Sequence, residues 1–513
     1  MTNGRQLSNQ DLETFHHKIQ EAKNKYNIPG VAVTIVQNDK LIFDEGFGVR
    51  NLETKEPMTT ETICPLGSMS KSLTALMNAT QVDEGHFTWD TYLKDISPLY
   101  RFPTDLLTET LQVYHLMSMS SGLSEPTSPY DNYGQYEENA IYWNEQSPAY
   151  VMTSLATPQI LGEPGTVFYY NNEVYASAGY LSPLQQGIEP FQMLQVYKDL
   201  MYKKVFHPIG MKSTYITSDL SCISDNYAVS YGLQCQNGEL KPLEMAATSV
   251  NNINGLAPAG QIVSNAKDLS LYARMLLNSG IAPNSEYRVV STQNLQELWK
   301  PRIDTKGGIP GLTNDIDYGL GWEIDEITCN GHKFEVYCHG GFLPAWLSWI
   351  QVVPDSNVGL VILTNNAFGR YMALEMGQEL LKLVYGEDLK FNVDVYYYYQ
   401  KAISDAIEGQ GSPPASYTVK RDDVAPILGN YQGGWTVEID KNNYLLVSKT
   451  GWIYYLYPSQ AGSISKGKNE FIVWASNDSE SLDKDKNQVE FYIDSVWGVT
   501  MISGMGEVKR WAV

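Results

Sequence analysis

Positive charge is scarce in this 513-residue chain, where 36 Lys and Arg stand against 58 Asp and Glu for a net charge of −22. Nucleic acid and anionic membranes are bound chiefly by Lys and Arg neutralising phosphates, so neither is an expected partner. Cysteine is sparse too. The five residues, Cys64, Cys222, Cys235, Cys329 and Cys338, are odd in number and scattered, which fits reduced thiols better than a disulfide framework. No stretch approaches the run of about 20 apolar residues that spans a bilayer, and Met1 to Lys18 lacks the basic flank and apolar core of a signal peptide. A cytoplasmic protein is expected. No glycine-rich phosphate loop follows a strand, and no cofactor is implied.

What is present is ordinary for a globular protein: 43% hydrophobic and 18% charged residues. Single cores stop growing at roughly 250 to 300 residues, so one large and one small domain are expected. Helical spacing runs from Asp11 to Tyr26, and Pro29-Gly30 breaks it. Val31 to Val36 and Leu41 to Phe47 then read as an antiparallel hairpin turning at Asn38 to Lys40. A helix follows from about Ser68 to Asp83, closed by Gly85. Residues from about 65 to 250 read as an inserted all-helical region. Strand signals return at Tyr318–Ile327, Lys333–His339, Ala345–Val353 and Val358–Asn365, before a helix from about Ala373 to Tyr385. The expected fold class is α+β, an antiparallel sheet built from both ends of the chain and flanked by helices. This catalytic unit spans 1–386. A linker is expected over 387–423, by its Gly409-Gln-Gly-Ser-Pro-Pro414 stretch, and a small all-β domain over 424–513.

Three elements carry candidate chemistry. Ser68-Met69-Ser70-Lys71 sets a hydroxyl and an amine three residues apart at a helix start, on one face, where the amine can take the proton of Ser68. Tyr170-Asn171-Asn172 follows the turn Glu163-Pro-Gly-Thr166. Its phenol can shuttle a proton and an amide two residues on can hold a substrate carbonyl, although taken alone a core Tyr and a helix cap explain the residues better. His339-Gly340-Gly341 ends a strand that returns from the turn Asn330-Gly331. The glycines let substrate approach, so the amide of Phe342 can pair with that of Ser68 as an oxyanion hole. A zinc site from Cys329, His332, Cys338 and His339 is the rival for this hairpin. Strand alternation sends Cys338 and His339 to opposite faces, and no metal is expected.

In this order the three elements resemble the serine β-lactamase and penicillin-binding-protein superfamily, most of all its class C-like branch of esterases, D-aminopeptidases and transesterases. Leu116-Met-Ser-Met-Ser-Ser-Gly-Leu123 is similar to the family's Leu-Leu-x-His-x-Ser-Gly-Leu stretch. Ala259-Gly260 to Leu277 and Tyr318-Gly-Leu-Gly-Trp322 resemble further family segments, and the resemblance covers roughly residues 10 to 385. It implies Ser68 as nucleophile, Lys71 and Tyr170 as proton-transfer pair, and Asn172 as substrate-binding amide. His339 and Gly341 take the first and third places of the Lys-Thr-Gly motif. A His there is only partly charged near neutral pH, which leaves Tyr170 relying chiefly on Lys71 as its cation and speaks against efficient β-lactam hydrolysis. Met117 and Met119 also depart from the usual residues. The final β domain resembles the lipocalin-like barrel appended to some D-aminopeptidase-like members.

The expected function is a serine hydrolase acting on a small-molecule ester, amide or thioester through an acyl-Ser68 intermediate. An acyltransferase, transesterase or cyclase passing the acyl group to an alcohol or amine is the first alternative. A non-catalytic binding protein on the same fold is the second, and a cell-wall transpeptidase, which requires export, is ranked below both.

Overall fold

A computed structural model describes residues 4–126, 147–236, 239–244, 254–306, 316–343, 345–366 and 368–387, short stretches between 389 and 403, and most strands between 428 and 509. The chain opens on helix α1 (Asn9–Lys25), whose start is set by a capping box between Ser8 and Asp11. Phe15, Ile19 and Ala22 recur at helical spacing and are buried. Strands β1 (Gly30–Gln37) and β2 (Lys40–Gly48) form the expected hairpin. Asn38 and Asp39 both have positive φ at its turn, the conformation a two-residue hairpin needs and Asn and Asp tolerate.

Helix α2 (Ser70–Asp83), entered through a 3-10 turn at Gly67–Met69, is buried from Ser70 to Gln81 with no exposed face. A helix in that position must satisfy its own polar side chains. Thr74 donates to the Pro258 carbonyl at 2.7 Å, and Asn78 donates to that of Ala178 at 2.9 Å. Short helices follow, among them α3 (Asn172–Ala178). The inserted region, expected from its pattern to be all-helical, is not. It also holds a hairpin of β3 (Tyr231–Gln236) and β4 (Glu239–Glu244).

After helix α4 (Ala266–Leu277), the chain returns to the sheet with β5 (Ile303–Asp304), β6 (Ile316–Tyr318), β7 (Glu323–Cys329), β8 (His332–Leu343), β9 (Trp346–Val353) and β10 (Val358–Thr364). The strand read from the sequence as Tyr318–Ile327 is two strands, separated by Gly319 to Trp322. The sheet order is β2-β1-β10-β9-β8-β7-β6-β5, antiparallel throughout. One face packs on α1 and α5 (Gly369–Tyr385), and the other on α2, α4 and the helical region. Helices and one antiparallel sheet make this an α+β fold.

Residues 395–400 are helical, and Tyr399 packs edge-on against Tyr26 at 4.7 Å between ring centres. Most of the expected linker, including Gly409 to Pro414, lies outside the described residues. Beyond it an antiparallel meander runs through Gly429–Tyr431, Trp435–Ile439, Leu445–Lys449, Trp452–Pro458, Lys468–Val473, Gln488–Asp494, Gly498–Ser503 and Gly506–Lys509. Among the described residues no pairing joins its first strand to its last. The β3–β4 hairpin joins it through Leu233 opposite Trp452.

Candidate active site

Ser68 sits in the 3-10 turn and Lys71 in the first turn of α2, so the local helix geometry brings both to one face. The Lys71 Nζ lies 2.9 Å from Ser68 Oγ, 2.7 Å from Asn172 Oδ1 and 2.9 Å from the Ala259 carbonyl oxygen. Tyr170 lines the same cleft as Ser68, and its ring lies 4.8 Å from Lys71 Nζ. Asn171 caps α3 by accepting from the Val174 amide at 2.9 Å, which turns the adjacent Asn172 side chain toward Lys71. The two asparagines therefore divide the roles the sequence left open between cap and site. Beneath them, the Asn171 amide lies 3.4 Å from the Met119 sulfur, and Asn78 Nδ2 lies 3.6 Å from that of Met117. The two atypical methionines thus pack under the site.

The end of β8 lies directly against the Ser68 turn. A Cβ on Gly341 would fall 1.7 Å from the Leu66 carbonyl oxygen and 2.8 Å from the Met69 nitrogen. A Cβ on Gly67, whose φ is +52°, would fall 2.8 Å from the Phe342 nitrogen. Only residues without side chains permit this approach. Ser348 from β9 fastens the same turn, donating to the Leu66 carbonyl at 2.5 Å.

Burial sets the protonation states. Lys71 is wholly buried and is pushed well below the usual lysine range, with Glu173 opposing the shift. Burial raises Tyr170, with the neighbouring Ser68 hydroxyl pulling the other way. His339 is lowered to about 3 by burial and then by Lys71, with its bond to the Gly340 carbonyl opposing. The sequence-based view of a partly charged His339 is corrected accordingly: the ring is neutral near pH 7. Its Nδ1 lies 2.7 Å from the Gly340 carbonyl and so carries the proton, which leaves Nε2 to accept from the Tyr318 hydroxyl at 3.0 Å. Tyr170 likewise has a neutral phenol rather than one made acidic by a cation. Cys338 points to the other face, toward Glu323, so it diverges from His339 as alternation required.

Ser68, Tyr170, His339, Gly340, Gly341 and Phe342 all line one cleft of about 570 Å³. Tyr318 and the Ala259 carbonyl were not singled out as site groups from sequence. Both lie in segments the family resemblance had marked, Tyr318-Gly-Leu-Gly-Trp322 and Ala259-Gly260, which was the available signal.

Residues 15–381 match the Beta-lactamase family. The unguisins hydrolase ungD' of Aspergillus campestris is 22% identical over 75% of this chain and 68% of its own length. Penicillin-binding protein 4 of Amycolatopsis lactamdurans is 22% identical over 82% of this chain and 98% of its own. An octameric penicillin-binding protein homologue from Pyrococcus abyssi shares the fold with a TM-score of 0.59 at 20% identity, covering 97% of this chain and 99% of that one. With a family match over most of its length, this chain belongs to the Beta-lactamase family and is an enzyme of the serine hydrolase and acyltransferase superfamily.

Proposed function

We propose that the protein hydrolyses a small-molecule ester or amide through an acyl-Ser68 intermediate. The observation that carries this is Ser68 Oγ held 2.9 Å from a wholly buried amine, in a cleft that the Tyr170 phenol also lines. A neutral Lys71 has two N–H groups and one lone pair. Asn172 Oδ1 and the Ala259 carbonyl can only accept, so they take the two N–H groups and the lone pair faces the Ser68 hydroxyl. Lys71 is then the general base. As Ser68 Oγ bonds to the substrate carbonyl carbon, its proton passes to Lys71 and the carbonyl oxygen becomes negative. The amides of Ser68 and Phe342 receive that oxygen, a role supported by the close approach at Gly67 and Gly341. The bond to the leaving group breaks as Tyr170, protonated in the resting site, donates to it and is reprotonated from Lys71. Water attacks by the reverse path and releases the acid.

His339 is neutral and supplies no charge for a substrate carboxylate, which favours esters and amides over β-lactams. Water as acceptor is favoured by the hydrolase named among the relatives. The C-terminal meander is read as the lipocalin-like barrel, a reading supported by its antiparallel strand order. Intact-protein mass spectrometry after exposure to activated esters, D-amino acid amides and β-lactams tests the reaction. An adduct that Ser68→Ala abolishes is expected; adducts that persist in that variant, or none at all in the native protein, overturn it.

A further inference from the structure

The last residue of β8 paired with β7 is Cys338, opposite Glu323. From His339 onward the β7 side of β8 has no strand beside it among the described residues. Gly340 adds no side chain there. The cleft over Ser68 therefore continues past this edge to the opposite face of the sheet, where Leu347, Trp349, Phe368, Tyr371, Glu323 and Arg370 line it. None of these six was used by the acyl-transfer chemistry.

Glu323 is the anomaly in this chamber. It is 2% exposed, and among the described residues the one hydrogen bond to its carboxylate is a weak one from the Cys338 thiol at 3.8 Å. Arg370 acts on it electrostatically, but among the described residues the two form no ion pair within 4.0 Å. Burial pushes the carboxyl up to about 7, with Arg370 and the thiol opposing. A buried carboxylate is unfavourable without compensation, and what this one lacks is a strong cationic donor. Arg370 is only half-buried and keeps contact with water.

We propose that this chamber is a second substrate subsite, and that Glu323 there binds an ammonium group carried by the acyl or leaving part of the substrate. The inference rests on the acyl-Ser68 reading for its place in the reaction. The aromatic rings of Trp349, Phe368 and Tyr371 in the lining favour a cation over a neutral group. An anionic group would instead set a second negative charge beside Glu323. A substrate lying along the open edge of β8 presents successive substituents to alternate faces, so one part reaches Ser68 while the next enters the chamber.

Hexylammonium chloride, hexanol and sodium hexanoate serve as probes. Each is tested as a competitor of the p-nitrophenolate burst that p-nitrophenyl acetate gives on acylating Ser68. Hexylammonium is expected to compete at concentrations at least about tenfold below hexanol, and Glu323→Gln is expected to erase that ratio. Calorimetric binding of hexylammonium to the native protein, without any ester, is expected to show the same preference. An absent burst would sink the acyl-Ser68 reading alone, since calorimetry still decides the subsite. The subsite is overturned if hexylammonium binds the native protein no better than hexanol, a comparison that stands even if the variant does not fold. It is equally overturned if the preference survives in folded Glu323→Gln, or if hexanoate is the best competitor and Arg370→Met abolishes its effect.

Discussion

Replacing Lys71 by alanine removes a three-carbon chain and its amine from a wholly buried site. Three contacts vanish, to Ser68 Oγ, Asn172 Oδ1 and the Ala259 carbonyl. Loss of a positioned base costs about 10² to 10⁴ in rate, or about 2.7 to 5.4 kcal/mol on the barrier at 1.36 kcal/mol per tenfold. The two acceptors left without donors cost about 1–3 kcal/mol each in stability, while relief from burying the amine works the other way. The thermal midpoint is therefore measured before rates are compared. The assay is the p-nitrophenolate burst in stopped flow, which reads acylation alone. Propylamine restores the atoms that alanine lacks, so added propylamine is expected to recover part of the burst rate. Only its neutral form has the lone pair, and recovery should rise with pH. A folded Lys71→Ala protein whose burst stays within threefold of native, or whose burst is lost but insensitive to propylamine, would refute Lys71 as the base.

Two further outcomes are expected. Gly341→Ala forces a Cβ against the Leu66 carbonyl and Ser348, and should destabilise by about 1–3 kcal/mol as an overpacked site. Gly340→Ala meets only the Trp349 ring at 3.3 Å and should cost less; urea midpoints that reverse this order would contradict the contact with the Ser68 turn. His339 is lowered to about 3, so between the ordinary imidazole value near 6.5 and pH 3 the unfolded chain binds a proton that the folded one refuses. Stability should fall as pH drops through that window. His339→Gln should flatten the fall, and an unchanged difference between urea midpoints at pH 7 and pH 4 would place the ring in a solvated setting.

The parts of the site that were legible in the sequence are those whose geometry is local. Ser68 and Lys71 meet because residues three apart share a helix face, and alternation alone separated Cys338 from His339. Tyr170 was legible only beside the other motifs, because nothing local distinguishes it from a core tyrosine. The Ala259 carbonyl could not be read, since a backbone acceptor has no letter of its own. Protonation was misjudged at His339 because a charge state depends on depth of burial, which follows from packing across distant elements. The β3–β4 hairpin was missed inside a helical region although Asn237-Gly238 stood between alternating segments. Its pairing with Trp452 joins residues more than two hundred positions apart and leaves no local trace.

The central sheet has a consequence for synthesis. Val31 in β1 is bonded on one side to Phe47, made moments later, and on the other to Thr364. At roughly 5–20 residues per second, the emerging hairpin waits on the order of tens of seconds with one apolar edge uncovered. Such an edge invites a neighbouring nascent chain. Yield in cells should therefore depend on chaperone supply and translation speed more than on the stability of the finished molecule.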